Sequence, residues 1–548
     1  MHKILATALS ALLVTGQFAA PAAAGAQDDG TPTATPIRHV VVIFGENISF
    51  DHYWATYPYA TNPKGEPAFY ADPHTPSVNG LLHDGLLTRN PNFLNSAVNG
   101  TAAQNPFRLD RSQAATADMD HDYTPEQEAF HAGLMDSFPA FTGTAGPPPT
   151  GLTTKGLVMG YFDGNTVTAL WNYAQRFALN DNSYGTTFGP SSPGAINLIS
   201  GQTNNVTDSE NAGSDIINDG NGGETLISDA NPLGDTCSGT SGAQVQLTGT
   251  NIGDLLNAKN ITWGWFQGGF NLSITNPNKT TGCARSTTSA VTGVTEVDYI
   301  EHHEPFQYYT STANLNHVRP SSTAMIGHQD AANHQYDIND FFTAVKAGNF
   351  PAVSFLKAPG FEDAHAGYSD PIDEQNFVVT VLNFLQSRSE WASTAVIINY
   401  DDSDGWYDHQ IGPIVNQSTT AADMLSGPGQ CGTGTDTALP GPSGAPHAQG
   451  RCGYGPRIPY MVISPWAKAN SVDHTVTDQS STIRFIEDNW LGGQRIGSGS
   501  FDSIAGSINN MFDFNRQPQP TPYLLDPSTG EPIHGFPGEP GGGHSHGW

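Results

Sequence analysis

Two apolar runs constrain this chain more than any other feature: His39-Val40-Val41-Val42-Ile43-Phe44 and Thr394-Ala395-Val396-Ile397-Ile398-Asn399-Tyr400. Neither alternates polar with apolar residues. A strand of that kind needs cover on both faces, which is the condition of a strand inside a parallel sheet. Ala352-Val353-Ser354-Phe355-Leu356, Ile458-Pro459-Tyr460-Met461-Val462-Ile463-Ser464 and residues 262–266 read as further strands. Helical periodicity separates them over residues 166–177, 373–388 and 480–490. In the second of these, Phe377, Val378, Val381, Leu382 and Leu385 fall on one helical face. Buried strands alternating with helices predict an α/β fold, a mostly parallel central sheet with helices on both faces. Ligands of such sheets bind beyond the carboxyl ends of the strands.

Both defining runs end in oxygen-rich turns. The first leads into Gly45-Glu46-Asn47-Ile48-Ser49-Phe50-Asp51-His52. A carboxylate and an amide oxygen are hard ligands that suit a metal ion. The same residues also suit an ordinary turn in which Asn47 caps the next element. The second run leads into Asp401-Asp402-Ser403-Asp404-Gly405-Trp406-Tyr407-Asp408-His409. Adjacent carboxylates repel unless a cation or a donor compensates them. A metal at Asp401-Asp402 answers that repulsion, and a solvated acidic turn is the alternative.

Between the two ends lie a candidate nucleophile and three candidate histidines. Phe188-Gly189-Pro190-Ser191-Ser192-Pro193-Gly194 holds serine in a turn defined by Gly and Pro. A metal lowers the pKa of such a hydroxyl and makes it nucleophilic. Alone, the pattern also fits a plain loop. His121, His303 and His365 each sit in a polar stretch rather than on an apolar face. Histidine donates to phosphate oxygens and protonates leaving alkoxides.

Charge narrows the partners. The chain carries 21 Lys+Arg against 52 Asp+Glu, a formal charge of −31. No basic stripe is present to neutralise a polyanion, so nucleic acid is excluded as a partner. A small phosphorylated substrate is not excluded, because a bound cation inverts the local field. Residues 1–26 read as a secretory signal peptide, with an apolar stretch too short for a membrane anchor. The four cysteines, Cys237, Cys283, Cys431 and Cys452, then suit disulfides. The expected pairs are Cys237–Cys283 and Cys431–Cys452, because each closes a local Gly/Thr-rich segment. Residues 27–36 read as a flexible leader, 204–250 and 416–450 as loop-like insertions, and 517–548 as a disordered tail whose His544 and His546 bind metal weakly at most. Trp263, Trp265, Phe266 and Phe270 are candidates for an apolar rim beside the site, with a place in the core as the other reading.

The order of these motifs resembles one family. Glu46-Asn47-Ile48-Ser49-Phe50-Asp51-His52-Tyr53 with Thr56-Tyr57-Pro58 resembles the opening signature of the bacterial phosphoesterases. That family holds phosphatidylcholine-type phospholipases C and respiratory-burst-inhibiting acid phosphatases. Asp120-His121, Phe188-Gly189-Pro190-Ser191, His303 with Pro305-Phe306-Gln307-Tyr308-Tyr309, His365, Tyr400-Asp401-Asp402 and Gly455-Pro456-Arg457-Ile458-Pro459 come next, in the family's order. The resemblance covers residues 37–490, within a catalytic domain expected over 37–516. It implies an alkaline-phosphatase-like α/β sandwich. It also implies one divalent metal held by Glu46, Asn47, Asp401 and Asp402, with Ser191 reaching the same ion. The oxygen ligands suit Ca²⁺, Mg²⁺ or Mn²⁺ and also admit Zn²⁺. Ser191 would attack phosphorus, and His121, His303 and His365 would hold phosphate oxygens, one of them protonating the leaving group. The chain departs from the family at Ser191-Ser192-Pro193-Gly194, where a slip of one residue would make Ser192 the aligned hydroxyl, and at Ser403-Asp404, which stands where His-Gly is frequent. The expected activity is that of a secreted, metal-dependent phosphoric-ester hydrolase acting on a phospholipid through a phosphoseryl intermediate. The alternatives are an acid phosphatase for small phosphomonoesters, an exported surface- or carbohydrate-binding protein, and a calcium-stabilised structural protein.

Overall fold

All seven residues of the strand Thr394–Tyr400 are buried, so it is covered on both faces, as its composition requires. It lies near the middle of an eight-stranded sheet. The computed structural model describes residues 32–143, 155–433, 439 and 446–533. In chain order the sheet strands are β1 (His39–Gly45), β2 (Ala178–Asn180), β3 (Trp263–Gln267), β4 (Gln335–Asp337), β5 (Val353–Lys357), β6 (Thr394–Tyr400), β7 (Tyr460–Ile463) and β8 (Ser471–Asp473). Their spatial order is β4-β3-β5-β1-β6-β7-β2-β8. Strands β4, β3, β5, β1 and β6 run parallel, and β7 is antiparallel to both its neighbours. Gly45 pairs with Tyr400 and Ile43 with both Leu356 and Ile398. The chains leaving β1, β5 and β6 therefore emerge side by side at one edge, where the topology predicts a ligand site.

The helices that matter for the site are α1 (Phe50–Trp54), α2 (Tyr123–Phe130), α3 (Thr168–Ala174), α4 (Ser191–Ser200), α5 (Ile338–Lys346), α6 (Pro371–Gln386) and α7 (Ser480–Trp490). Helix α4 packs on α7, and α6 packs on α3 and, through Phe341 and Phe384, on α5. Asp370 caps α6 by accepting from the Ile372 and Asp373 N–H groups, and Pro371 occupies the first turn, where a missing N–H does no harm. The mixed α/β architecture with a mostly parallel sheet is the one expected. Among the described residues no helix is long and apolar enough to cross a membrane. The signal-peptide segment 1–26, His544 and His546 lie outside the described residues.

Several expectations need correction. Residues 204–250 are not a loop. They form a five-stranded sheet of Asn204–Glu210, Ile216–Asn218, Glu224–Leu226, Asn231–Pro232 and Gln244–Leu247. Its strands are short and polar, and Val206, Leu226, Val245 and Leu247 are among the residues that seat it on the core. The tail is packed as far as residue 533. Leu525 is fully buried, its carbonyl accepts from Asn383 Nδ2 at 2.8 Å, and Gln386 bonds the Tyr523 backbone in both directions. Amide side chains of α6 hold this segment, so it needs no apolar periodicity. The end of the leader is tied as well: the Thr35 N–H and hydroxyl both donate to Asn489 Oδ1, at 3.0 and 2.8 Å. Trp263, Trp265, Phe266 and Phe270 are all core residues, so they form no rim. The disulfides are Cys237–Cys283 and Cys431–Cys452, the pairs expected. The first fastens the small sheet to the turn at Gly282–Ala284 instead of closing the insertion on itself.

Candidate active site

Backbone bonds lace the turn after β1 to the turn after β6. Gly45 is glycine of necessity, because a Cβ there would lie 2.6 Å from the Tyr400 ring. Asn47 has φ 56°, a left-handed conformation that asparagine tolerates better than most residues. Its N–H donates to Asp401 Oδ1 at 2.9 Å, and the Ile48 N–H donates to the Asp402 carbonyl at 3.0 Å. The loop after β5 joins them, since the Glu46 N–H donates to the Asp363 carbonyl at 2.9 Å.

Helix α4 brings the serine. Ser191 is its first residue, and Gly194 faces the acidic turn so closely that a Cβ would lie 2.2 Å from the Asp401 carbonyl oxygen. That glycine lets the helix start directly over the two aspartates. Ser191 Oγ then lies 3.1 Å from Glu46 Oε2 and 3.2 Å from Asp402 Oδ2. Ser192 points elsewhere: its hydroxyl oxygen accepts from Tyr308 at 3.3 Å and its N–H donates to Asp229 Oδ1 at 2.8 Å. Every one of Glu46, Asn47, Ser191, Asp401 and Asp402 is buried.

The histidines surround this group. His303 Nδ1 lies 3.3 Å from Glu46 Oε1 and 3.8 Å from Asp363 Oδ2. His121 and His365 each place Nδ1 on a backbone carbonyl, of Met119 at 2.8 Å and of Ala366 at 2.6 Å. Such a bond fixes the tautomer and aims Nε2 away from the anchor. Here both Nε2 atoms face the Asn47 amide, at 3.3 and 3.1 Å. The structure therefore gathers all eight residues that the sequence singles out.

It also adds residues that the sequence did not reveal. Lys357, the last residue of β5, is fully buried and its ammonium contacts Glu46 Oε1. Asp363 completes a group with Glu46 and His303 whose ligand atoms lie within 4.8 Å of one another, and Asp118, His121, His365 and Asp404 form a second such group. Asp401 and Asp402 join neither group and are linked to the rest through Asn47 and Ser191. A lysine closing an apolar strand, and an aspartate two residues before His365, are the signals that would have found Lys357 and Asp363.

Burial dominates the electrostatics. It pushes the Asp402 carboxyl well above the usual carboxylate range, and adjacent Asp401 adds to the push. Asp363 is raised for the same first reason, with Lys357 acting against it. Burial lowers Lys357, His303 and His365. It works against charge on His121 too, but Asp402, Asp404 and Asp118 outweigh it and hold that imidazole well above its ordinary value.

The oxygen and nitrogen of the Asn47 amide can be exchanged without moving the side chain. In one orientation, its oxygen faces Glu46 Oε2 at 2.6 Å and Asp401 Oδ1 at 3.2 Å, and its NH₂ faces the two histidines. In the other, the NH₂ satisfies those carboxylates. The first orientation converges oxygens of Glu46, Asn47 and Asp401 on one spot, with Ser191 and Asp402 beside it. Buried carboxylate and amide oxygens converging in this way suit a hard cation. The residues present fit the metal.

Residues 37–491 match the Phosphoesterase family. The non-hemolytic phospholipase C of Pseudomonas aeruginosa is 25% identical over 516 residues, covering 91% of this chain and 60% of that protein. Phospholipase C B of Mycobacterium tuberculosis is 23% identical over 506 residues, covering 90% of this chain and 80% of that protein. The chain thus spans less than two thirds of the length of the Pseudomonas relative. Among solved structures, murine ectonucleotide pyrophosphatase/phosphodiesterase 5 is similar over 63% of this chain and 95% of that one, with a TM-score of 0.31 and 9% identity, too slight a likeness to argue from. Matched over most of its length in sequence, the chain belongs to the phosphoesterase family.

Proposed function

We propose that this chain is an exported, metal-dependent phosphoric-ester hydrolase of the phospholipase C type, with Ser191 as its nucleophile. One observation carries the reading: a buried serine hydroxyl, first in its helix, lies within 3.1 and 3.2 Å of carboxylates delivered by two neighbouring parallel strands. A structural calcium site has no use for that hydroxyl, and a carbohydrate-binding surface has no use for buried carboxylates. The relatives named phospholipase C support the substrate class, and the two disulfides support export to an oxidising compartment.

Glu46, Asn47, Asp401 and Asp402 would hold the cation, with Ser191 alongside. When bound, it supplies Lewis-acid charge that favours the serine alkoxide and offsets charge on the phosphoryl oxygens. Ser191 Oγ attacks phosphorus in line with the leaving oxygen; the new O–P bond forms as the ester O–P bond breaks. His121, His303 and His365 line the remaining side of the site. They donate to phosphoryl oxygens, and one of them gives its proton to the departing alkoxide. Water then cleaves the phosphoserine and restores the hydroxyl. Lys357 holds Glu46 Oε1, which leaves Oε2 turned toward Ser191.

The test is turnover of phosphatidylcholine and of p-nitrophenyl phosphate by the purified protein. Release of phosphocholine from the lipid is expected. Cleavage of the monoester alone would assign the chain to the acid phosphatases instead, and no turnover of either would refute the reading.

A further inference from the structure

Glu126 is a buried carboxyl that no step of the proposed reaction uses. It stands in the first turn of α2, five residues after His121, and is 1% exposed. A carboxyl taken out of water is costly unless donors meet both its oxygens. Its donors come from the two turns that build the site. Oε2 accepts from the Gly189 N–H at 3.1 Å, and Oε1 accepts from the Ser403 hydroxyl at 2.7 Å. Ser403 Oγ in turn accepts from the Gly405 N–H at 3.0 Å.

Those partners adjoin the reacting groups. Gly189 lies two residues before Ser191, and Ser403 directly follows Asp402. Gly189 has φ 114°, and a Cβ there would lie 3.0 Å from the Ile227 carbonyl, so the turn has one conformation to offer and one N–H to anchor it. On the other side, a Cβ on Gly405 would lie 2.5 Å from the Asp120 carbonyl oxygen, which packs the His121 loop against the acidic turn. Burial raises the Glu126 carboxyl to about 8, with the Ser403 and Gly189 bonds acting the other way. The group thus lies in a dry interior and is held there by these two turns.

We propose that Glu126 is a positioning residue that sets Ser191 against Asp402 by tying the nucleophile turn to the acidic turn. The proposal rests on the phosphoesterase reading of the site. It acts through backbone and hydroxyl contacts, so it predicts a defect in turnover and not in binding. Misplacing a nucleophile by about 1 Å costs on the order of 100-fold. The substitution Glu126→Gln would keep both contacts, because the amide oxygen accepts from Gly189 and the NH₂ donates to the Ser403 oxygen.

The test compares wild type, Glu126→Ala, Glu126→Gln and Ser403→Ala on p-nitrophenyl phosphate and on phosphatidylcholine, with metal content measured on each. For Glu126→Ala we expect kcat to fall about 100-fold, with KM within about threefold and the metal content of wild type. Glu126→Gln should restore most of the rate. Ser403→Ala removes one of the two Glu126 contacts, together with the Gly405 N–H bond, without touching α2, so it reads the same defect even where Glu126→Ala fails to fold; it should lower kcat about tenfold at unchanged KM. Wild-type kcat in Glu126→Ala, or in Ser403→Ala where Glu126→Ala fails to fold, would overturn the proposal alone. So would a rise in KM or a loss of metal that accounts for the defect. A wild-type protein that turns over neither ester would overturn the functional reading, and this proposal with it.

Discussion

Ser191 Oγ lies 3.2 Å from Asp402 Oδ2, although 211 residues separate them in sequence. Three devices bring them together: the parallel pairing of β1 with β6, the glycine at 194 that lets α4 close on Asp401, and the fastening of both turns by Glu126. The proposed cation, the buried ion pair and the acids of the interior can each be perturbed separately.

Removing the cation should cost both activity and stability. Glu46, Asp401 and Asp402 are buried and mutually repulsive, and Lys357 meets only the first of them. Dialysis against a chelator should abolish turnover and lower Tm. Restoring one equivalent of the right divalent ion should reverse both. A bound ion stabilises by about 2.7 kcal/mol when its free concentration is about 100 times its Kd. A chelated protein with full activity would exclude the metal from the reaction.

In metal-free protein Lys357→Met should destabilise the fold by about 3–5 kcal/mol, because it removes the buried ammonium that compensates Glu46. Urea denaturation of the two proteins measures this directly. Equal midpoints would show that Glu46 is compensated by something other than Lys357.

A buried acid outside the proposed ligand set should shape the pH dependence of stability. Glu374 accepts from Tyr53 at 3.0 Å and also bonds Tyr400. Burial raises its carboxyl from 4.5 to about 7, against the pull of those two bonds. The native state therefore keeps a proton that the unfolded chain releases above about pH 4.5. The stability this group contributes is complete below that pH and falls as pH rises to about 7. Glu374→Gln keeps the neutral form throughout. It should gain on wild type by about 1–3 kcal/mol between pH 4.5 and pH 8 in urea titrations. A difference that stays constant over that range would contradict the assignment.

Much of this fold was legible because its central strands are buried on both faces and so are mostly apolar, without the polar alternation of a half-exposed strand. The runs at Val40–Phe44 and Ala395–Ile398 could hardly be anything else. The small sheet at 204–250 was not legible, since its short polar strands pair through backbone bonds that leave no mark on composition. The segment 517–533 was not legible either, because Asn383 and Gln386 hold its backbone from another part of the chain. In the site, Glu46-Asn47 read from residue chemistry alone suits a capped turn as well as a ligand pair, and only the ordered motifs favour the ligands. Lys357 ends an apolar strand, where a lysine normally marks emergence into water. Glu126 stands in the first turn of a helix, where an acid is favoured by the helix dipole whatever else it does. Their burial is a property of the assembled turns, which no local pattern records.

The central claim is that Ser191 attacks phosphorus from within the metal site. The direct measurement is turnover of phosphatidylcholine by Ser191→Ala and Ser192→Ala, each with its metal content. Ser192 sends its hydroxyl oxygen to Tyr308 and its N–H to Asp229, away from the carboxylates. Ser191→Ala should lose about 1,000-fold or more in kcat while remaining folded and loaded, and Ser192→Ala should stay within about tenfold of wild type. A Ser191→Ala protein that turns over at the wild-type rate would contradict the account.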